Sequence, residues 1–267
     1  MKVKDKVIVV TGGGNGVGRE LVLNLLSKGA KVAAVDINEV ALAETTALAG
    51  VQGSNMKSFA VDITNKEKVK NLLDDIVSEF GQVDGVINNA GIIQPFVKLN
   101  ELSYDVIDRV LNVNFFGTLF MLKTFIPILE KRTEAHIVNI SSMGGFLPVP
   151  GQSIYGASKA AIKLLTESLK SEMSNTNVMV TIVFPGAMRT DIMKNSGLKT
   201  DVSASKDSRG AKITTAKQAA EIIIDGMEQN KYRIFVGRDA KIMDLIYRLS
   251  PVRAANMIYN KMRDKIN

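Results

Sequence analysis

Short apolar runs rich in Val, Ile and Ala alternate with longer amphipathic stretches over most of this 267-residue chain. Seven runs predict strands, at 6–10, 31–36, 57–62, 83–88, 136–141, 178–184 and 232–236. Six helical patterns lie between them, near 17–28, 39–48, 66–80, 103–131, 154–174 and 215–228. The first six runs are apolar enough to be buried on both faces, as parallel strands between helices are. The alternation therefore predicts a doubly wound parallel α/β sheet in a single domain.

Composition excludes several kinds of site. The chain has no cysteine, so disulfides and thiolate sites are excluded, and its single histidine, His136, excludes a histidine-cluster metal site. No apolar run approaches the roughly 20 residues of a spanning helix, and the N-terminal apolar stretch is too short for a secretory signal. We therefore expect a cytoplasmic protein without a metal. The net charge of +7 is spread among acidic residues, which favours a solvated surface over a nucleic-acid partner.

A glycine-rich turn, TGGGNGVGRE, directly follows the first predicted strand. Its spacing matches the phosphate loop of nucleoside triphosphatases, but Arg19 and Glu20 stand where that loop needs a lysine and a hydroxyl residue. Gly12, Gly16 and Gly18 instead suit a strand-to-helix turn that a dinucleotide can approach closely. The following helix would then direct its N-terminal amides at the pyrophosphate.

Asp36 ends the second predicted strand, 18 residues after Gly18, where a carboxylate can accept hydrogen bonds from an adenosine ribose. The same carboxylate would repel the 2′-phosphate of NADP. Asn15, Ile37 and Asn38 offer no positive charge to compensate. The pattern therefore favours NAD over NADP, and a helix N-cap is the alternative role for Asp36.

Polar clusters fall near the carboxyl ends of the later strands, where a parallel sheet binds its ligand. In chain order they read NNAG, NVNFFG, NISSMGG and FPGAMRTD. Tyr155 and Lys159 are four residues apart in a predicted helix and so share one face. An ammonium group beside a phenol favours the phenolate, and such a tyrosine can exchange a proton with an alcohol or carbonyl oxygen. Taken alone, such a pair is more often a solvated helix face.

Together these motifs resemble those of the short-chain dehydrogenase/reductase family, over residues 5–237. The resemblance implies a Rossmann fold and an oxidoreductase that acts on CH–OH groups with NAD or NADP. It implies that Tyr155 is the acid/base and that Ser142, 13 residues earlier, orients and polarises the substrate oxygen. Lys159 would bind ribose hydroxyls and lower the pKa of the tyrosine, and Asn114 would hold a water in the proton relay. A helix-packing hydrogen bond is the alternative role for Asn114.

The resemblance also implies a set of residues that contact the cofactor. They are Gly12, Asn15, Gly16, Val17, Gly18, Asp36, Ile37, Asp62, Ile63, Asn89, Ala90, Gly91, Tyr155, Lys159, Pro185, Gly186 and Thr190. Within this set Asp62 would contact the adenine and Thr190 the carboxamide. An N-cap is the alternative role for Thr190.

We therefore expect an NAD-dependent hydride transfer between the nicotinamide and a secondary alcohol or ketone. Besides Ser142, the residues expected to face the substrate are Ile93, Met143, Phe146, Val149, Met188 and Ile192. Their apolar character suggests a hydrophobic substrate, and ordinary packing explains it equally well. Two alternatives stay open: epimerisation or double-bond reduction on the same scaffold, and a non-catalytic dinucleotide sensor. A sensor needs no proton relay, so the intact relay residues disfavour it.

The chain continues past the region of resemblance, which divides it into a catalytic domain, 1–237, and a C-terminal extension, 238–267. In the extension one helical stripe is formed by Ile242, Leu245, Ile246 and Leu249. Pro251 ends this pattern, and a second helix follows with the apolar anchors Val252, Ile258 and Met262. The extension carries seven Lys or Arg and three Asp, a net charge of +4.

A basic amphipathic helix pair can lie on an anionic membrane surface, pack over its own substrate crevice or contact a neighbouring subunit. Packing or subunit contact is the commoner fate of an apolar stripe, so we favour it, with a homodimer or homotetramer as the expected assembly. Peripheral membrane contact is the alternative. The polar segment 195–215 predicts a loop or a short helical lid.

Overall fold

Nine strands occur in the computed structural model, which describes residues 1–189, 192–198 and 214–263. They are β1 (Val7–Thr11), β2 (Lys31–Asp36), β3 (Met56–Ala60), β4 (Gly85–Asn88), β5 (Ala135–Ile140), β6 (Val178–Pro185), β7 (Met188–Arg189), β8 (Thr214–Thr215) and β9 (Arg233–Val236). Seven of them form one parallel sheet in the order β3-β2-β1-β4-β5-β6-β9, while β7 pairs only with β8. Strand order reverses beside β1, which opens a ligand crevice at the carboxyl ends of β1 and β4.

Ten helices connect these strands within the described residues. They are α1 (Gly16–Ser27), α2 (Glu39–Ala49), α3 (Lys66–Phe80), α4 (Tyr104–Leu111), α5 (Thr118–Leu129), α6 (Ser153–Glu172), α7 (Ile192–Asn195), α8 (Ala216–Glu228), α9 (Arg238–Leu249) and α10 (Pro251–Met262). The predicted strands and helices agree with these bounds to within two residues. The predicted doubly wound Rossmann fold is therefore confirmed.

Alternate residues of each central strand face opposite sides of the sheet, and both sides are covered. Ile8 and Val10 pack with α1, α2 and α8, whereas Val7 and Val9 pack with α3 and α5. All residues of β1, β4 and β5 are buried, as the sequence predicts. The prediction of burial on both faces is wrong for β3, because this strand lies at the sheet edge and is largely exposed.

One continuous helical segment, Tyr104–Leu129, joins α4 to α5 through a π-helical turn at Asn112–Gly117. By length and composition alone it could cross a membrane, so the expectation that no stretch approaches such a length was wrong. Its buried side chains Met121, Phe125 and Leu129 pack under the sheet. In this fold the segment is therefore a helix packed against the core.

The extension folds back onto the loop that follows β5. Leu147 of this loop forms a small apolar cluster with Ala254 and Ile258 of α10. Further partly buried residues join it, namely Met143, Phe146, Val149, Met243, Ile246, Tyr247 and Met262. Asp244 of α9 is buried and forms ion pairs with Arg233 (2.9 Å) and Arg248 (3.0 Å). Packing against the crevice loop is thus one role of the extension.

The predicted apolar stripe does not account for this packing. Ile246 faces the cluster, but Ile242, Leu245 and Leu249 are exposed. Of the anchors predicted for α10, Ile258 and Met262 pack, whereas Val252 is exposed. Helical spacing identifies which residues share a face, but only the docking of the helix decides which face is covered. Most of the segment predicted as a lid, 195–215, lies outside the described residues.

Candidate active site

The glycine turn after β1 packs tightly against the loop after β4. Gly12 has a positive φ of 70°, which favours glycine. A Cβ on Gly18 would overlap the carbonyl oxygen of Gly12 and lie 2.6 Å from Asn89 Nδ2. The loop is fastened to the turn because Thr11 Oγ1 accepts hydrogen bonds from the backbone N–H groups of Asn89 (3.0 Å) and Ala90 (3.1 Å). The N-terminus of α1 therefore opens onto a narrow cradle. A ligand can contact the backbone there because the glycines carry no side chains.

Asp36 stands at the carboxyl end of β2, beside this cradle. Its Oδ2 accepts from Gly14 N–H and its Oδ1 from Asn38 N–H, both at 3.0 Å. Asn38 itself caps α2, because its side chain accepts from Ala41 N–H. The alternative role of Asp36 as N-cap of α2 is therefore wrong. Its carboxylate keeps lone pairs that can accept hydrogen bonds from ribose hydroxyls.

Arg19 is a cation near this site whose role here was not predicted from the sequence. Its guanidinium donates to Gly14 O at 2.7 Å and to Glu44 at 2.6 Å. It thus ties α1 to α2 and is paired with a carboxylate. Its position across the turn could not be read from its place in the sequence.

A crevice of about 530 Å³ runs along the carboxyl edge of the sheet. All the residues predicted to contact the cofactor line it, except Thr190, which lies outside the described residues. Ile93, Ser142, Met188 and Ile192 line it as well. The structure therefore gathers residues from many separate chain segments into one site.

Ser142, Tyr155 and Lys159 meet at the wall of this crevice. Ser142 follows β5, and Tyr155 and Lys159 lie in the first two turns of α6. The Ser142 hydroxyl shares a hydrogen bond with the Tyr155 phenol and accepts from Gly144 N–H at 3.1 Å. Lys159 Nζ donates to Ile140 O at 3.0 Å. A hydroxyl, a phenol and an ammonium group are thereby aligned on one side of the cleft.

Burial shifts the pKa values of the two titrating groups towards their neutral forms. It raises the pKa of Tyr155, although the hydrogen bond with Ser142 acts in the opposite direction. It lowers the pKa of Lys159 to about 8. Lys159 is not among the groups that shift the pKa of Tyr155 in the protein alone, so the expected lowering of this pKa by Lys159 stays a prediction.

Asn114 lies in the π-helical turn and is fully buried. Its Nδ2 donates to Ile92 O and to Ser158 Oγ, both at 3.0 Å, and its Oδ1 accepts from Ile92 N–H at 2.8 Å. These bonds join the helix to the loop after β4, which is the packing role considered as the alternative. The described side chain is thus engaged in protein contacts, and a water relay at Asn114 stays a prediction. π-Helical turns are frequent at functional sites.

Three residues expected to face the substrate do not line the crevice. Met143, Phe146 and Val149 pack with the extension instead, because α10 covers the outer side of their loop. Arg109 and Val113 are among the lining residues that were not predicted. Arg109 donates to Ser196 O at 3.2 Å, which joins α4 to the segment after α7.

Asp239 of the extension also reaches this site and was not predicted. Its Oδ2 accepts from Ala187 N–H at 2.7 Å. A Cβ on Gly186 would collide with its carboxylate, so Asp239 is pressed against the turn that lines the crevice. The two hydrogen-bonded residues are 52 positions apart, and no local pattern connects them.

A protein-family model described as short chain dehydrogenase matches residues 6–201. The Mycobacterium tuberculosis protein SadH, named as an oxidoreductase, is 37% identical over 252 residues, which cover 92% of this chain and 91% of SadH. A solved short-chain dehydrogenase/reductase from Burkholderia phymatum in complex with NAD has a TM-score of 0.83 at 26% identity, covering 93% of this chain and 96% of that one. The structure of ElxO with NADP bound has a TM-score of 0.77 at 25% identity, covering 87% of this chain and 97% of that one.

The match to the family model spans the glycine turn, Asp36, Ser142, Tyr155 and Lys159. Similar structures hold NAD in one case and NADP in another, so the likeness indicates a nucleotide cofactor without selecting between the two. Family model, relative and fold agree over most of the chain. The chain therefore belongs to the short-chain dehydrogenase family, whose members are oxidoreductases that use a nucleotide cofactor.

Proposed function

We propose that this protein is an NAD-dependent enzyme that transfers a hydride between the nicotinamide and a secondary alcohol or ketone. The observation that carries the proposal is the meeting of Ser142, Tyr155 and Lys159 at the wall of the crevice that the glycine turn opens. Enclosing a phenol and an ammonium group in a crevice costs free energy. Such groups in a cleft are typical of proton-transfer sites.

The crevice fits a dinucleotide. Gly12 and Gly18 leave a cradle that a Cβ would fill, and the N-terminus of α1 opens onto it. Asp36 supplies carboxylate oxygens for ribose hydroxyls, and Lys159 supplies N–H donors farther along. A helix N-terminus favours the negative charge of a pyrophosphate. These groups would contact the adenosine ribose, the pyrophosphate and the second ribose of NAD.

NAD, when bound, supplies the hydride acceptor for an alcohol, and NADH the hydride donor for a ketone. Tyr155 takes the hydroxyl proton of an alcohol or returns one to the oxygen of a ketone. Ser142, already bonded to the phenol, donates to the same substrate oxygen and holds it near the proton. Lys159 places positive charge beneath the site, which favours the phenolate. Close positioning of these groups removes the entropy cost of bringing them together in solution.

The crevice also has apolar lining residues. Ile93, Met188 and Ile192 are among them, which favours a hydrophobic substrate. The test is a screen of secondary alcohols with NAD, and of ketones and compounds with activated double bonds with NADH, with nicotinamide absorbance as the readout. Turnover of apolar members supports the proposal. Turnover only of activated double bonds would indicate the alternative chemistry, and tight NADH binding without any turnover would indicate a sensor.

Cofactor choice gives the first prediction. We expect NADH to bind at least about tenfold more tightly than NADPH, because the Asp36 carboxylate would face a 2′-phosphate. Arg19 does not offset this charge, since it pairs with Glu44. Calorimetric titration measures both affinities. Asp36→Ser removes the carboxylate and should therefore reduce the difference between the affinities for NADH and NADPH. Equal or reversed affinities in the unaltered protein would contradict the proposal.

The second prediction concerns Asp239. Asp239→Ala removes the acceptor for Ala187 N–H, so we expect NADH affinity to fall about fivefold to tenfold. Asp239→Asn keeps an acceptor oxygen and should restore most of the affinity. Asp75→Ala, at an exposed position of α3, serves as the control for loss of a carboxylate. Equal affinities for the Ala variant and the unaltered protein would show that Asp239 has no positioning role.

We also propose a homodimer or homotetramer. Phe116 of the π-helical turn and Leu164 of α6 are exposed, and these two helical segments pack on each other within the chain. Exposed apolar side chains on neighbouring helices favour contact with a second copy. Light scattering tests the assembly: a monomer at micromolar concentration would contradict it.

A further inference from the structure

The outward face of the extension carries large apolar side chains in solvent. Ile242, Leu245 and Leu249 of α9 are 56%, 52% and 78% exposed, and Val252 at the start of α10 is 73% exposed. We call these four residues the outer stripe. The three on α9 recur at intervals of three and four residues and so lie on one side of that helix.

The outer stripe is not needed to hold the extension in place. The opposite face of α9 and α10 docks on the loop after β5 through Met243, Ile246 and Ile258. The Asp244 ion pairs with Arg233 and Arg248 add a polar tie on the same side. The exposed apolar area is therefore available for a contact outside the chain.

The charges of the extension are sorted between its two faces. Its two described carboxylates point inward, Asp239 to Ala187 N–H and Asp244 to Arg233 and Arg248. Lys241, Arg253 and Lys261 are exposed, and none forms an ion pair with a carboxylate of the described residues. Among the described residues of the extension, the outer stripe is thus accompanied by exposed positive charge, while both carboxylates are engaged on the inner side.

This distribution selects between two occupants of the face. In a symmetric contact with a second copy, the same patch meets itself, so the cations Lys241 and Arg253 of one copy would approach the equally positive patch of the other. Like charges at an interface oppose association. An anionic lipid surface instead supplies phosphate groups for the cations and an apolar layer for the outer stripe.

We propose that the protein binds peripherally to anionic lipid bilayers through this face of α9 and α10. The outer stripe enters the headgroup region, and Lys241, Arg253 and Lys261 contact lipid phosphates. This inference goes beyond the proposed hydride transfer and does not depend on it. It also reverses the preference that the apolar stripe alone suggested, because the structure leaves most of that stripe exposed.

The test is co-sedimentation of the full chain with vesicles. We expect binding to vesicles of phosphatidylcholine and phosphatidylglycerol at low salt, weaker binding at high salt, and little binding to phosphatidylcholine alone. Leu245→Glu/Leu249→Glu should lower the bound fraction at least about tenfold. It replaces two apolar side chains, which are proposed to enter the headgroup region, with negative charges that the anionic lipid repels. Lys241→Gln/Arg253→Gln should weaken binding without changing any apolar side chain.

The matched control is Leu48→Glu/Val51→Glu, which makes the same charge change at two exposed apolar positions in another part of the surface. We expect it to bind as the unaltered protein does. Circular dichroism and NADH titration verify that each variant is folded. Failure of the unaltered chain to sediment with anionic vesicles would overturn the proposal, as would equal loss of binding in the control. A change of molar mass for Leu245→Glu/Leu249→Glu would instead identify the face as an interface between copies and also overturn it.

Discussion

Replacement of Tyr155 by phenylalanine should lower kcat by about a thousandfold and leave NADH affinity nearly unchanged. The phenol is the group in the crevice that can exchange a proton with the substrate oxygen while bonded to Ser142. Loss of a general acid/base typically costs a factor of about 10² to 10⁴ in rate. The phenylalanine ring keeps most of the volume of this partly buried side chain, so the crevice should retain its shape.

Steady-state kinetics and calorimetric titration of NADH measure the two quantities separately. Tyr104→Phe, at an exposed position of α4, is the matched control and should keep full activity. Lys159→Ala should differ from Tyr155→Phe by weakening both turnover and NADH binding, since Lys159 is proposed to serve the ribose and the tyrosine. Near-normal kcat in the Tyr155→Phe enzyme would place the acid/base elsewhere.

Gly18→Ala should abolish measurable NADH binding. The new Cβ would overlap Gly12 O and lie 2.6 Å from Asn89 Nδ2, so the turn and the loop after β4 must separate. Overpacking of this kind costs about 1–3 kcal/mol of stability, and the displaced backbone no longer forms the cradle. We therefore expect a loss of affinity of at least about a hundredfold, since misplacement of a site by about 1 Å is enough for such an effect.

Gly50→Ala separates this effect from a general cost of adding a methyl group. Gly50 has a positive φ of 55°, and a Cβ there would have no atom within 4 Å. We expect a cost of about 1–3 kcal/mol from backbone strain, seen in denaturant unfolding, and unchanged NADH affinity. Tight NADH binding by a folded Gly18→Ala variant would show that the turn does not hold the cofactor.

The sequence by itself determined the sheet, the glycine turn and the positions of Asp36, Tyr155 and Lys159. Strand and helix periodicities are local properties, so they are visible within windows of a few residues. The carboxyl ends of parallel strands lie at one edge of the sheet, so the polar clusters that follow them were expected to meet. The crevice brings together the predicted cofactor-contact residues that lie in the described chain.

Only the tertiary structure decided how these groups are partnered. Burial raises the pKa of Tyr155, and the Asn114 side chain is occupied by Ile92 and Ser158, both through contacts between distant segments. Asp239 reaches the crevice across 52 residues, and no periodicity can place it there.

The extension shows the same division. Its spacing predicted two helices and an apolar stripe, but helical periodicity is unchanged when a helix rotates about its own axis. The docked face is selected by long-range contacts, with Leu147 on one side and the Arg233–Asp244 ion pair on the other. Those contacts turn Ile246 inward and leave Leu249 in solvent, because a helix with apolar residues on several faces can bury only the face that fits its neighbours.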